Sequence, residues 1–167
     1  LGLAFPDPQR ARSALEFLVD ANTGTPQLIQ DTGTGGSWPA STDRIAWALG
    51  ARQTYYALTG ADRSAFGQLI QQVLQDALQE AEALRRPSSA YPLLIPGESS
   101  FLDWREQSYP PWVRGDPARI AESYALFTNL LYLAAYELLH EVSGAAGTSD
   151  AAEQLRADGH VHNGASA

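Results

Sequence analysis

The chain has 167 residues, of which 44% are hydrophobic and 18% charged. This is enough apolar content for one folded domain and too much for a disordered chain. Its 11 basic residues are all arginine and face 19 acidic ones, so the net charge of −8 argues against nucleic acid as a partner. The absence of cysteine and lysine excludes disulfides, thiolate nucleophiles, Schiff-base lysines and a P-loop.

The sequence gives no sign of membrane insertion. The first residues lack the pattern of a targeting signal. The longest apolar stretch, residues 124–139, is interrupted by Asn129 and Glu137 and is shorter than the roughly 20 residues of a membrane span. We therefore expect no membrane partner. Because methionine is also absent, we expect the chain to be a processed product or a fragment.

Apolar residues at helical spacing predict four main helices, and no segment shows strand-like alternation over a useful length. The first helix is predicted over 9–21, after an Asp7-Pro8 start typical of an N-cap and a first-turn proline. The second is predicted over 42–58, closed by Gly60, and the third over 63–84. A long loop then leads to a fourth helix over 118–142.

The third and fourth predicted helices differ in how their apolar residues are distributed. The third has one apolar stripe, whereas the fourth is apolar nearly all round in its middle and is expected to be buried on most sides. This contrast is typical of helical hairpins in which outer helices cover inner ones. We therefore predict an all-α class, with residues 1–147 forming helical hairpins and 148–167 a short helix and a mobile tail.

The first candidate motif, residues 31–47, reads DTGTGGSWPASTDRIAW. A glycine-rich loop leads into a helix start, with Trp38 in the loop and Asp43 and Arg44 in the first turn. An indole face packs on the apolar face of a pyranose, and Asp and Arg bind neighbouring hydroxyls, so the motif fits a sugar-binding mouth. The structural alternative is that a preceding hydroxyl residue caps the helix and Asp43 complements its positive end.

The second candidate motif, residues 96–112, reads PGESSFLDWREQSYPPW. It interleaves carboxylates and an arginine with aromatic rings, namely Glu98, Asp103, Glu106, Arg105, Phe101, Trp104, Tyr109 and Trp112. An aromatic, partly dry setting raises the pKa of a carboxyl group, as a glycosidase requires in the acid that protonates the leaving oxygen. The structural alternative is that Ser100 and Asp103 form a capping box and Glu106 pairs with a nearby arginine.

The segments WPASTDRIAWALGA and ESSFLDWREQSYP together resemble bacterial six-hairpin glycosidases, the (α/α)6-barrel enzymes related to glycogen-debranching amylo-glucosidases. The resemblance spans residues 5–144. It implies a helical toroid, of which this chain supplies about two hairpins, and hydrolysis of glycosidic bonds in an oligo- or polysaccharide, with inversion. In related barrels a Glu-Ser-Gly-x-Asp segment supplies the general acid. Here the stretch from Glu98 to Asp103 is one residue longer and lacks the glycine.

The resemblance implies that Asp103 is the proton donor and that Glu98 orients it or binds substrate, while the altered spacing leaves either one open as the acid. The residues expected to bind sugar are Trp38, Asp43, Arg44, Trp104, Arg105 and Glu106. Related barrels carry the catalytic base on a later hairpin, so this chain alone is expected to be inactive. No cofactor or metal is expected, since His160 and His162 have no third ligand in the tail.

Several polar residues of the fourth predicted helix have two interpretations each. Asn129 and Tyr132 either line a barrel floor or are hydrogen-bonded groups of the core. Glu137 and Glu141 form a solvated edge or meet further hairpins. His140 is expected to be a core residue or to complement the helix dipole, rather than to be catalytic.

Two alternative functions belong to other classes. One is a carbohydrate-binding module that keeps the aromatic cleft without turnover. The other is a helical interaction module whose exposed apolar faces dock on partner segments. The expected partners are a carbohydrate and the remaining hairpins of a longer chain or a partner segment. The compartment is not fixed by the sequence: bacterial cytoplasm, periplasm and secretion all fit.

Overall fold

The computed structural model describes residues 6–22, 24–29, 42–86, 90–96, 119 and 123–144, with side chains in the second helix from Ile45 onward. In chain order the elements are α1 (Pro8–Glu16), β1 (Val19–Asp20), β2 (Gln27–Leu28), α2 (Thr42–Ala57), α3 (Gly60–Ala83) and α4 (Leu126–Ser143). These helices hold 68% of the described residues, which confirms the all-α class. The predicted boundary after residue 147, the short last helix and the tail lie outside the described residues.

Helix α1 begins where the sequence predicts it. The Asp7 side chain accepts a hydrogen bond of 2.9 Å from the backbone N–H of Arg10. Pro8 is the first helical residue, a position at which its missing N–H leaves no bond unmade. The helix ends at Glu16, however, and not at residue 21.

The prediction of a helix is wrong for residues 17–21, because the chain reverses there into a short antiparallel ribbon. Strands β1 and β2 pair antiparallel, with Val19 opposite Leu28. The reversal begins with an Asx turn, in which the Asp20 carboxylate accepts a 2.8 Å hydrogen bond from the backbone N–H of Asn22. Gly24 follows with a φ of +88°, a conformation that favours glycine. Strands of two residues are too short to show alternation in a sequence.

Helices α2 and α3 form a hairpin joined by only two residues. The sequence predicts that Gly60 closes α2 and that α3 starts at Arg63. In the structure Gly60 is the first residue of α3, at a φ of +56°. The Arg63 guanidinium holds this connection together. It donates hydrogen bonds of 2.6–3.1 Å to the backbone carbonyls of Tyr55, Tyr56 and Leu58. These carbonyls lie at the end of α2, where intrahelical donors are missing.

Helix α4 starts at Leu126 and not at the predicted residue 118, because Ala125 before it is extended, with φ −71° and ψ 129°. It ends at Ser143, and the next residue, Gly144, is a left-handed cap whose N–H donates to the carbonyl of His140 at 2.9 Å. The predicted burial on most sides holds in the middle of α4 but not at its beginning. There Leu126 is 69% exposed and Leu130 is 52% exposed.

The core lies where α4 packs against both α2 and α3. Its buried side chains include Ile45, Trp47, Ala48 and Ala51 of α2, Phe66, Ile70, Val73, Leu74, Leu78 and Ala81 of α3, and Leu131, Tyr132, Ala135, Leu138 and Leu139 of α4. Trp47 also fixes α1 on α2, because its indole N–H donates to the carbonyl of Leu15 at 3.1 Å. Within the part of the chain that the structure describes, no helix is long and apolar enough to cross a membrane.

Candidate functional site

The predicted site residues fall mostly beyond the described part of the chain. Asp43 and Arg44 lie in the first turn of α2, which begins at Thr42 as predicted. The other predicted site residues are outside the described residues: Trp38, Glu98, Asp103, Trp104, Arg105 and Glu106. The geometry of the site is therefore built from the helices that these motifs precede.

Polar contacts join α2 to α4. Arg52 of α2 contacts Glu137 and Glu141 of α4 at 3.7 and 2.5 Å. One turn later on α2, the Tyr56 hydroxyl donates to Glu141 at 2.8 Å. The last parts of both helices thus lie together.

The segment of residues 90–96 is hydrogen-bonded to the first turn of α4. The backbone N–H of Ile95 donates to the Asn129 amide oxygen at 2.8 Å, and the Asn129 amide nitrogen donates back to the Ile95 carbonyl at 3.1 Å. Both residues are buried. Of the two interpretations of Asn129, the hydrogen-bonded core group is the one observed. Only two residues separate Ile95 from Glu98, so the second motif follows this anchor directly.

Two tyrosines stack at the same end of α4. The rings of Tyr91 and Tyr124 are 5.6 Å apart between centroids and inclined by 63°, an edge-to-face arrangement. Tyr124 lies just before α4, and Tyr91 opens a turn closed by a 3.2 Å hydrogen bond from the N–H of Leu94 to its carbonyl. Neither ring carries a predicted role. The signal available for Tyr91 was the following Pro92, which is favoured at the second position of such a turn.

The opposite end of α4 carries a polar cluster, formed by Arg52, Tyr56, Glu137 and Glu141. Burial lowers the pKa of Arg52, but the two carboxylates outweigh this effect and raise it above its usual value. The hydrogen bond to Glu141 and then burial raise the pKa of Tyr56. Glu137 and Glu141 thus form ion pairs with Arg52 at an edge of α4 where Glu141 is exposed, which agrees with the predicted solvated edge, and contact with further hairpins stays a prediction.

A second polar contact joins the end of α3 to the middle of α4. The Tyr136 hydroxyl donates to the Glu82 carboxylate, which also accepts a 3.0 Å hydrogen bond from Arg85. Burial, and after it the hydrogen bond to Glu82, raises the pKa of Tyr136 well above its ordinary value. Tyr136 is therefore held as the neutral phenol, and this contact fixes α3 on α4.

The remaining titratable candidates do not form a metal centre in the described ranges. No group of three or more His, Cys, Asp or Glu side chains there is arranged to hold a metal ion. His140 lies in the last turn of α4, as predicted for a residue that complements the helix dipole. His160 and His162 lie outside the described residues.

Comparison of the chain with protein-family models, with curated proteins and with solved structures finds no match. The functional interpretation therefore depends on the two sequence motifs and on the geometry of the helices that follow them.

Proposed function

We propose that this chain supplies the first helical hairpins of a glycoside hydrolase domain of the six-hairpin, (α/α)6 type. The observation that supports the proposal is the packing of α2 on α4, which contact each other through Arg52, Tyr56, Glu137 and Glu141. The first motif leads into α2, and the second lies in the connection that leads into α4. In the proposal, the two motifs that precede these packed helices form one common mouth.

The hairpin arrangement also supports this proposal. A two-residue connection joins α2 to α3, and α4 is covered by both of them, as an inner helix of a toroid would be. The segments that precede α2 and α4 in the chain are many residues long, whereas the connection between α2 and α3 has two residues.

In this proposal the reaction is hydrolysis of a glycosidic bond by two carboxyl groups. Asp103 protonates the leaving oxygen, and Glu98 orients it or binds the substrate. An inverting mechanism also needs a carboxylate that activates water from the opposite side of the sugar ring, about 6.5–9.5 Å from the acid. That base would come from another hairpin, so this chain would hold the acid and part of the sugar-binding mouth.

Sugar binding in this proposal uses aromatic stacking and charged hydrogen bonds. Trp38 and Trp104 offer indole faces to a pyranose ring. The charged partners for its hydroxyls are Asp43 and Arg44 at the start of α2 and Arg105 and Glu106 in the second motif.

The test is substitution of the candidate acid in the full-length protein. Asp103→Asn is expected to lower kcat for hydrolysis of an α-glucan oligosaccharide by about 10²–10⁴-fold, the usual contribution of a general acid, while sugar affinity is retained. Asp20→Asn, in the exposed ribbon, is the matched control and is expected to keep the wild-type rate. A wild-type rate in Asp103→Asn, together with a large loss in Glu98→Gln, would transfer the acid role to Glu98.

A second candidate function, a helical interaction module, is favoured by exposed apolar side chains. Phe17 is 81% exposed, Leu126 69% and Leu130 52%. Side chains of this size gain free energy when a partner covers them. Wild-type protein that neither hydrolyses nor binds oligosaccharides would favour this module over the hydrolase.

A further inference from the structure

We draw no further inference here: the strongest candidate, the apolar surface patch at the start of α4 where Leu126 is 69% and Leu130 52% exposed, carries nothing because nothing in the described part of the structure shows what covers it.

Discussion

The two ends of α4 are built differently. Toward the C-terminal end, Arg52 pairs with Glu137 and Glu141 and Tyr136 bonds to Glu82, so the helix is tied to both α2 and α3. At the N-terminal end, the main polar tie is between Asn129 and the backbone of Ile95. There, apolar side chains of α4 remain exposed to solvent, Leu126 at 69% and Leu130 at 52%.

The two ends of α4 therefore differ in how much of their surface other parts of the chain cover. The ion pairs between the helices partner Arg52, Glu137 and Glu141 within the chain. The exposed side chains of Leu126, Leu130 and Tyr91 gain free energy when a partner covers them. Both ends of α4 are tied to neighbouring segments, and the N-terminal end in addition leaves apolar side chains exposed. Three substitutions test this difference, in order of decreasing expected effect.

The largest effect is expected from Asn129→Leu. The leucine has a similar size but leaves the N–H and the carbonyl of Ile95 unpaired, and Ile95 is 0% exposed. Each buried, unsatisfied backbone group costs about 1–3 kcal/mol, so we expect the free energy of unfolding to fall by roughly 2–4 kcal/mol in urea denaturation. The matched control, Asn22→Ala in the exposed ribbon, is expected to cost under about 0.5 kcal/mol. Equal effects in the two variants would show that the Ile95 anchor is not a structural tie.

A smaller, pH-dependent effect is expected from Tyr136→Phe. The pKa of Tyr136 is raised in the folded protein, so folding favours the neutral phenol. The resulting stability is fully present below the unfolded tyrosine pKa of about 10 and is lost as the pH rises toward the folded value. At pH 8 we expect the variant to lose about 1–2 kcal/mol of unfolding free energy, because the hydrogen bond to the Glu82 carboxylate is absent.

The sign of the pH dependence distinguishes this contact from a merely apolar role of the ring. Between pH 8 and pH 11, the unfolding free energy of wild type is expected to fall more steeply than that of Tyr136→Phe. Tyr56→Phe is the comparison variant: the pKa of Tyr56 is also raised, but that side chain is 53% exposed, so a smaller change of the same sign is expected. Parallel pH profiles for wild type and Tyr136→Phe would mean that the Glu82 contact contributes nothing to folding.

The sequence predicted the helices well where their signals were local. The Asp7-Pro8 start, the long amphipathic stripe of α3 and the start of α2 at Thr42 all depend on neighbouring residues, and the structure has them. It failed where contacts between neighbouring elements decide. The ribbon after α1 depends on pairing with residues 27–28, and the early start of α3 depends on Arg63 bonding back to the end of α2.

The same distinction applies to the candidate site. Residue types alone predicted acids and aromatic rings suited to a sugar, and the placement of Asp43 and Arg44 in a first helical turn followed from the helix start. The pairing of Glu137 and Glu141 with Arg52 was not predictable, because 85 or more residues separate these partners along the chain. The same holds for the stack of Tyr91 on Tyr124, which requires the loop and the helix start to meet in space.

The smallest effect is expected from Leu130→Gln at the open end of α4. Because Leu130 is 52% exposed, replacing it with a polar side chain of similar length is expected to change the unfolding free energy by less than about 0.5 kcal/mol. The matched variant is Leu138→Gln, at a position that is 0% exposed, where burial of an unpaired amide is expected to cost roughly 3 kcal/mol or more. Urea denaturation of both variants measures the contrast directly. A cost above about 1.5 kcal/mol for Leu130→Gln would require a covering surface over the N-terminal end of α4, because a solvated leucine has no such burial energy to lose.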